Sequence, residues 1–403
     1  MRSIVLAGAT LVLPDRLISP GTLVIEDGRI ADVRSGSAAA DSGTLPLDGH
    51  FIVPGFIDVH VHGVSGIDTL GGAGSIRRMA AQLPRYGVTA FSPTSVACSP
   101  LALRALLEEV GQVRSHPDAR SARVLPAHLE SHFINPDYAG AQPRRCLRDA
   151  RQALDHWQAP NRPLDAHAFD GDDVLREIAR ALPDVGTVTL APEVAGGLDL
   201  VRWLVDRGVR VSLGHSGASF DEALAAVAAG ARQATHLFNR MAPIHHRAPG
   251  LAGAVLQTDE LAAEIIADGI HVHPGLVRAA VAAKHPSRVL AITDATSLSG
   301  MAAGARAHLG EQPIVAGPSA AFLDDGTLAG STATMDGVFR VLTGPVGLSL
   351  VDAAVLCATT PARELGLVGH GVIAVDAVAD LVVLDQRLSI VHTYVHGQLA
   401  YSR

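Results

Sequence analysis

Residues 54–63 of the chain read PGFIDVHVHG: a Pro-Gly pair, a short run of mostly apolar residues, and two histidines two positions apart. A short apolar run that follows a turn signal predicts a buried strand. Because side chains alternate along a strand, His60 and His62 are expected on the same side of it, where both can bind one ion. Two histidines at this spacing can also be unrelated, so the rest of the chain is needed to interpret them.

Strand-like runs alternate with helical stretches rich in alanine and leucine from about residue 56 to about residue 366, which is typical of βα units around a parallel sheet. Eight runs are predicted as strands: 56–62, 88–93, 124–130, 187–193, 210–216, 233–239, 262–269 and 288–296. Eight strand–helix units predict an α/β fold of the (β/α)8 TIM-barrel class. A doubly wound open sheet is the alternative, but no G-x-G-x-x-G motif follows the first strand.

The two ends of the chain share a different character, that of strands and turns. Residues 22–26 and 29–33 flank an Asp27-Gly28 pair, which is a strong hairpin signal. Near the carboxyl terminus, residues 379–385 and 391–397 have the same β-rich composition. We therefore predict a discontinuous small β-sandwich domain of residues 1–54 and 367–403, and a catalytic barrel domain of residues 55–366.

The composition is that of a globular protein, with 48% hydrophobic and 18% charged residues. The formal charge is −8, and neither sign forms a long run, so neither nucleic acid nor an anionic membrane is an expected partner. The apolar run at residues 4–13 is short and breaks at a Pro-Asp pair, which favours a strand over a signal peptide. Three cysteines without a CxxC spacing fit a reducing cytoplasm. A small molecule is the expected partner.

Polar residues recur where the predicted strands end, and a (β/α)8 barrel carries its reactive groups at those ends. Imidazoles combined with carboxylates are the ligands that zinc and divalent iron prefer. The candidate ligands are His60, His62, Glu130, His215, His236 and Asp294. This set can hold one divalent ion or two. A carboxylated lysine bridge is excluded because the only lysine, Lys284, lies in a predicted helix, which leaves Glu130 as the candidate bridging ligand.

A bound divalent ion acidifies water and polarises a carbonyl oxygen, which suits hydrolysis of an amide. Asp294 would then be the general base and acid, taking a proton from the attacking water and returning it to the leaving amine. A plain metal ligand or a helix N-cap is the alternative for Asp294.

Several residues beyond the strand ends are candidates for substrate binding. Arg247 lies in a cation-rich loop after strand six and His271 lies beyond strand seven, which together predict an anionic substrate. An ordinary surface arginine is the alternative. Asn239 offers a donor and an acceptor for sugar hydroxyls or a phosphate. Residues 328–335 are predicted as a flexible loop over the barrel mouth, or else as an ordinary surface turn.

Ordered blocks over nearly the whole chain resemble one family. They are PGFIDVHVHG from Pro54, HLES and FINP around Glu130, LAPE ending at Glu193, GHS at His215, THLFNRM from Thr235, RAPGLAGA from Arg247, IADGIHV from Ile266, ITDAT from Ile292 and LAGSTATM from Leu328. With these blocks the chain resembles the N-acetylglucosamine-6-phosphate deacetylase family of the amidohydrolase superfamily.

The resemblance implies metal-dependent hydrolysis of N-acetyl-D-glucosamine 6-phosphate to D-glucosamine 6-phosphate and acetate, in amino sugar catabolism and recycling. It implies one tightly held metal on Glu130, His215 and His236, with Asp294 as the catalytic acid and base. The pair His60 and His62 makes a second ion plausible. The residues implied in substrate binding are Gln142, Asn239, Arg240, Arg247, His271, Leu328, Ala329 and Gly330. The resemblance also implies a homodimer in which Arg247 reaches the neighbouring active site.

Two departures from the family pattern concern loops. The chain has Ser131-His132 where the family commonly has Gly-Pro, and Gln142 where some members carry a histidine. Other readings are a deacetylase of N-acetylgalactosamine 6-phosphate or of another anionic amide, and a catalytically silent sugar-phosphate-binding barrel. An intact Asp294 argues against the silent barrel, since a binding protein needs no proton shuttle.

Overall fold

The computed structural model describes residues 3–37, 43–130, 132–158, 163–317 and 320–403. Its centre is a barrel of eight parallel strands: β1 (Phe56–Val61), β2 (Val88–Ser95), β3 (Ala127–Glu130), β4 (Val185–Leu190), β5 (Arg210–Leu213), β6 (Gln233–Ala234), β7 (Ala262–Ile266) and β8 (Val289–Ile292). A short strand, Arg123–Val124, also pairs with β2. The predicted (β/α)8 TIM barrel is confirmed.

The barrel closes where its first strand meets its last. The backbone N–H of Asp294 donates to the carbonyl of His60 at 3.0 Å, and Val61 forms a parallel bridge with Ala295. Beneath this contact, the Thr293 hydroxyl donates to the buried carboxylate of Asp58 at 2.5 Å. We call this contact between β1 and β8 the seam.

Helices surround the barrel. They are Ser75–Gln82, Pro100–Ser115, Ala150–His156, Gly171–Arg180, Gly197–Val205, Phe220–Ala229, Gly250–Gln257, Pro274–Lys284, Met335–Thr343, Leu350–Ala354 and Thr360–Glu364, the last two joined by a π-helical turn at Val355–Thr359. Phe220–Ala229 shows how the sequence sets helix ends. Ser219 and Glu222 form a reciprocal capping box at its start, and Gly230 ends it with a φ of 114°. Among the described residues, no helix has both the length and the apolarity needed to span a membrane.

Strands from both chain ends form one separate sheet. They are Ser3–Val12, Leu17–Glu26, Arg29–Ser35, Thr44–Pro46, Phe51–Pro54, Leu381–Leu384, Ile390–Val395 and Gln398–Ser402. The Asp27-Gly28 pair makes the predicted hairpin turn, with Glu26 opposite Arg29. Phe51–Pro54 joins the two ends, because it pairs with Ser3–Val12 on one side and with Leu381–Leu384 on the other. The domain limits at 54/55 and 366/367 stay a prediction.

A four-stranded antiparallel sheet follows β8 and was not predicted. Its strands are Arg306–Leu309, Gln312–Ala316, Ala320–Leu323 and Leu328–Ser331. We call it the inserted sheet. The prediction of a loop over residues 328–335 was therefore wrong at both of its ends, since Leu328–Ser331 is a strand and Met335 begins a helix. Pairing with Ala320–Leu323 and packing of Ala329 against Val96 and Leu298 give this glycine-containing segment its order.

Candidate metal centre and catalytic pocket

A cavity of about 530 Å³ opens at the carboxyl ends of the barrel strands. Five of the predicted metal and catalytic residues line it: His62, Glu130, His215, His236 and Asp294. His60 lies just beneath them and is fully buried. All six side chains therefore lie in one place, although they come from five different strand ends.

Glu130 lies at the centre of this group and its two oxygens face different histidines. Its Oε1 lies 2.8 Å from Nε2 of His215 and 2.9 Å from Nε2 of His236. Its Oε2 lies 3.3 Å from Nε2 of His62. One carboxylate thus contacts both halves of the histidine cluster.

His60, His62 and Asp294 form the second half of the cluster. The two histidine Nε2 atoms are 3.2 Å apart, and Asp294 Oδ1 lies 3.3 Å from His60 Nε2 and 3.2 Å from His62 Nε2. The sequence prediction that the pair shares one side is met even though β1 ends at Val61, one residue before His62.

Hydrogen bonds at the other ring nitrogens fix how two of the histidines face the cavity. His60 Nδ1 donates to Glu264 Oε2 at 2.9 Å, and His215 Nδ1 donates to the carbonyl of Tyr138 at 2.8 Å. Because Nδ1 of each ring is committed to this hydrogen bond, Nε2 is the ring atom left to bind a metal at the centre. Glu264 was missed by the sequence analysis; its signal is a lone glutamate within the apolar strand β7.

The electrostatics of the pocket favour positive charge. Burial alone lowers the pKa of His60 and of His62, but nearby carboxylates outweigh it. Asp294, Glu264 and Glu130 raise the pKa of His60 to about 9, and Asp294 and Glu130 raise the pKa of His62 to about 10. Burial raises the pKa of Glu130, yet His215, His236 and His62 hold it well below its usual range. Because imidazole and carboxylate atoms converge here on the same small volume, the residues fit a divalent metal ion.

Three of these residues have unusual backbone conformations. His215, His236 and Asp294 have φ values of 47°, 31° and 48°, in the left-handed region that non-glycine residues rarely adopt. Each lies two residues after the last residue of its strand, because this conformation cannot continue a β ladder. The predicted strands that included these residues were therefore too long, and the strained positions are ones whose side chains line the cavity.

The predicted substrate-binding residues divide between the cavity and its surroundings. Gln142, Asn239, Arg240, His271, Leu328 and Gly330 line the cavity. Ala329 is buried behind the wall, within the core of the inserted sheet. Asn239 Nδ2 donates to the His236 carbonyl at 3.3 Å.

His271 and Asp268 form a pair at the cavity wall. His271 Nδ1 lies 2.7 Å from Asp268 Oδ2. Burial lowers the pKa of His271, but the hydrogen bond and the charge of Asp268 outweigh it, so the net shift is upward. Asp268 lies within the block IADGIHV from Ile266, and its role as partner of His271 was not predicted from the sequence.

Arg247 lies outside the cavity wall. Its side chain is exposed and its Nη1 lies 2.9 Å from His246 Nε2, in a turn closed by a bridge between His245 and Ala248. The chain on its own therefore does not bring this arginine to the metal-binding cluster.

Glu193, His132 and Lys284 make contacts within the protein and do not line the cavity. Glu193 accepts hydrogen bonds from Ser216 Oγ and the Gly217 N–H, each at 2.7 Å, and does not line the cavity. His132 is buried against the Cys98 backbone, and Ser131 lies outside the described residues. Lys284 ends the helix Pro274–Lys284, away from the cavity wall, and donates to the Thr258 carbonyl.

Comparison with known proteins gives a consistent result. Residues 51–400 match the amidohydrolase family. The N-acetylglucosamine-6-phosphate deacetylase of Lysinibacillus sphaericus is 33% identical over 377 residues, which cover 93% of this chain and 92% of the relative. The protein of the same name from Mus musculus is 36% identical over 415 residues, which cover 98% and 94%.

Solved structures agree with these relatives. A mutant of N-acetyl-D-glucosamine-6-phosphate deacetylase from Mycobacterium smegmatis, in complex with N-acetyl-D-glucosamine-6-phosphate, is similar over the whole of both chains, with a TM-score of 0.87 and 31% identity. The N-acetylglucosamine-6-phosphate deacetylase from Thermotoga maritima has a TM-score of 0.84 and 28% identity, and the match covers 99% of this chain and all of the other.

Proposed function

Because the chain belongs to the amidohydrolase family and, within it, to the N-acetylglucosamine-6-phosphate deacetylases, we propose that its cavity is the site of that reaction. The chain is an amide hydrolase that converts N-acetyl-D-glucosamine 6-phosphate to D-glucosamine 6-phosphate and acetate in amino sugar metabolism. The observation that carries the assignment to this cavity is the position of Asp294, whose Oδ1 lies within 3.3 Å of both His60 and His62 and faces the cavity.

The residues of the cluster can hold a divalent metal, and we propose two zinc or iron ions per chain. Glu130 Oε1 with His215 and His236 would hold one ion, and Glu130 Oε2 with His60 and His62 the other. A bound divalent ion supplies an acidified water and a Lewis acid for the carbonyl oxygen of the amide.

Asp294 is proposed to move the proton. Burial raises the pKa of Asp294, but His60 and His62 outweigh it and keep the carboxyl ionised. An ionised carboxylate at this position accepts the proton of the attacking water and delivers it to the amine nitrogen as the C–N bond breaks. Its left-handed backbone turns the side chain into the cavity, beside the histidine pair.

The substrate is proposed to lie along the wall formed by Asn239, Arg240 and His271, which supplies donors for hydroxyl and phosphate oxygens. The exposed Arg247 supports a homodimer in which this arginine binds the phosphate in the neighbouring subunit's cavity. Ile244 and Ile270, about half exposed at 49% and 51%, lie close to Arg247 and His271 in the chain, and their burial would favour such a contact. The cytoplasmic location remains a proposal, supported by three cysteines that are all free and buried.

Acetate release tests the proposal directly. The metal-replete protein should release acetate from N-acetylglucosamine 6-phosphate, lose this activity on chelation, and regain it when Zn²⁺ or Fe²⁺ is added. The variant Asp294→Asn should lower kcat by roughly 10²- to 10⁴-fold, the usual contribution of a positioned acid–base group. N-acetylgalactosamine 6-phosphate serves as the comparison substrate. Activity that survives complete chelation would contradict the metal mechanism, and an unimpaired Asp294→Asn would contradict the role of Asp294.

A further inference from the structure

Gln142 is buried beside the metal-binding cluster, and both ends of its amide have partners in the protein. Its Oε1 accepts from the backbone N–H of Ala97 at 2.8 Å, and its Nε2 donates to Glu130 Oε2 at 2.5 Å. The side chain is only 5% exposed. The Gln142 side chain therefore connects Ala97, just after β2, with the Glu130 carboxylate.

The orientation of this amide follows from the chemistry of its partners. The backbone nitrogen of Ala97 carries a hydrogen and can only donate, so the atom that faces it has to be the carbonyl oxygen of Gln142. The NH2 group then faces Glu130, whose ionised carboxylate can only accept. In a flipped amide, the NH2 group would face the Ala97 N–H and the carbonyl oxygen would face the Glu130 carboxylate. Neither contact would then be a hydrogen bond, so only the observed orientation satisfies both partners.

The hydrogen bond to Glu130 has a consequence for the carboxylate. The terminal torsion of a glutamate is broad and roughly two-fold, so the carboxyl plane needs a contact to hold it. Gln142 binds Oε2, the oxygen that faces His62, and leaves Oε1 to His215 and His236. Oε2 keeps a second lone pair for a ligand on the His62 side.

The loop that carries Gln142 is itself held in place from the inserted sheet. Gln312 Nε2 donates to the carbonyl of Ala141 at 2.5 Å, and Arg145 forms an ion pair with Glu311. The Gln142 backbone N–H donates to the Ala139 carbonyl at 3.0 Å. The amide is thus presented to Glu130 by a loop that is fixed on both sides.

We propose that Gln142 is a positioning residue that holds the Glu130 carboxylate in its bridging orientation, and that it determines how tightly the His60–His62 half of the centre binds its metal ion. This inference rests on the two-ion centre proposed above. The tight half, formed by Glu130 Oε1 with His215 and His236, does not depend on Gln142 in the same way, because neither histidine contacts this amide.

The test is a titration of metal-free protein with Mn²⁺, in which calorimetry measures the binding and electron paramagnetic resonance detects whether the ions are coupled. The wild type should bind two ions and give the spin-coupled signal of a carboxylate-bridged pair. In Gln142→Met, which keeps the length of the side chain but has no amide, the weaker step should lose about 10- to 100-fold in affinity, the range typical of residues that orient metal ligands. The stronger step should change by no more than a few-fold.

Gln312→Met is the matched control, because it removes a glutamine hydrogen bond to the same loop without touching Glu130. It should keep both binding steps and the coupled signal, because the Arg145–Glu311 ion pair and the bond from the Gln142 N–H to the Ala139 carbonyl still hold the loop. If Gln142→Met does not fold, Gln142→Asn replaces it, since its amide is one methylene too short to reach both Ala97 and Glu130.

Four results would overturn the inference: a wild type that binds one ion, unchanged binding in the Gln142 variants, an equal loss at both steps, or the same loss in Gln312→Met. Acetate release by the wild type is measured on the same samples. Acetate release by a protein that binds a single ion would overturn this inference and leave the proposed deacetylation intact. A protein that binds two ions but releases no acetate would overturn the proposed deacetylation and leave the role of Gln142 in metal binding intact.

Discussion

Buried ionised side chains need hydrogen-bond partners, and the partners of Glu264 include the predicted metal ligand His60. Its Oε2 accepts from His60 and its Oε1 accepts from Gln233 Nε2 at 2.6 Å, so both oxygens are satisfied inside the barrel. The sequence predicted His60 as a ligand because a histidine pair is a local pattern. It could not predict Glu264 as the residue that orients His60, because that contact joins β1 to β7 and depends on the closed barrel.

The pair of Asp268 and His271 leads to a prediction about pH. Because Asp268 raises the pKa of His271, this imidazole stays protonated to higher pH and can attract an anionic substrate. In Asp268→Asn the raised pKa is lost, while the Asn Oδ1 can still accept from the Ile270 and His271 backbone N–H groups. The KM for the sugar phosphate should then begin to rise at a lower pH than in the wild type, and the two proteins should differ by roughly 3- to 10-fold above the ordinary histidine value of 6.5.

Steady-state kinetics from pH 6 to pH 9 measure this effect, and kcat should change little. The phosphate of the substrate titrates identically with the wild type and with Asp268→Asn, so its effect on KM cancels when the two pH profiles are compared. Superimposable KM profiles for the two proteins would show that His271 does not bind substrate through its charge.

Lys284, the only lysine, gives a second prediction at this scale. Burial, aided by Arg288, lowers its pKa to about 8 in the folded chain. Between pH 8 and the unfolded value of 10.5 the unfolded chain still holds a proton that the folded chain has released, so folding is favoured as the pH rises. The free energy of unfolding of the wild type, relative to that of Lys284→Met, should therefore increase across this window by up to about 3 kcal/mol.

Urea denaturation of both proteins at each pH checks this, since titrations common to both cancel in the difference. Below pH 8 the difference should be flat, because the lysine is protonated in both states. A difference independent of pH over the whole range would mean that Lys284 carries no burial penalty.

At the scale of elements, the inserted sheet supports Asp294, the proposed catalytic carboxylate. The Ser331 N–H donates to the Asp294 carbonyl at 2.8 Å, and the Ser331 hydroxyl donates to the Thr293 carbonyl at 2.5 Å. Gly330 packs so closely here that a Cβ would lie 2.8 Å from the Asp294 carbonyl oxygen, and its φ is 72°. The last strand of this sheet thus fixes the backbone from which Asp294 projects.

Gly330→Ala should therefore displace Asp294 and lower kcat by about 10- to 100-fold, since shifts of about 1 Å cost this much. Gly326→Ala is the control, because Gly326 has a similar φ of 85° in the same hairpin but open space around its Cβ. It should lose about 1 kcal/mol of stability to backbone strain and keep its activity. Equal loss of activity in the two variants would show that strain alone, and not contact with Asp294, is responsible.

The sequence predicted elements well where a local pattern determines them, and poorly where pairing with another strand determines them. Asp27-Gly28 identified a hairpin, and alternating strand and helix runs identified the eight barrel strands. The ends of β5, β6 and β8 were placed too late, because the polar residues that mark these ends adopt left-handed conformations outside the ladder. Strand Leu328–Ser331 was read as a loop because its small residues form a strand only when Ala320–Leu323 pairs with it.

At the scale of the whole molecule, the proposed dimer gives the last prediction. Arg247→Ala and Asp294→Asn chains, each nearly inactive as homodimers, are co-expressed with different tags and the hybrid is purified through both. In the hybrid, one cavity combines a native Asp294 with an Arg247 from the partner subunit, and the other has neither. If Arg247 acts across the interface, the hybrid should recover about half of the wild-type kcat per dimer.

If Arg247 served its own cavity, neither site of the hybrid would be complete and no activity would return. Recovery is thus the discriminating result. Size-exclusion chromatography of the wild type gives the oligomeric state itself, and a monomer at working concentration would contradict the dimer.

The seam between β1 and β8 determines when during synthesis the chain acquires its complete cavity. His60 and His62 are made with the first barrel strand and Asp294 only after the last, and the bond from Asp294 to the His60 carbonyl is part of the closure itself. A nascent chain that has completed seven strands therefore has all five proposed metal ligands but lacks Asp294. Completion of β8 therefore adds the proposed acid–base group to ligands that are already present, so a chain released before β8 is made has no Asp294 with which to hydrolyse amides.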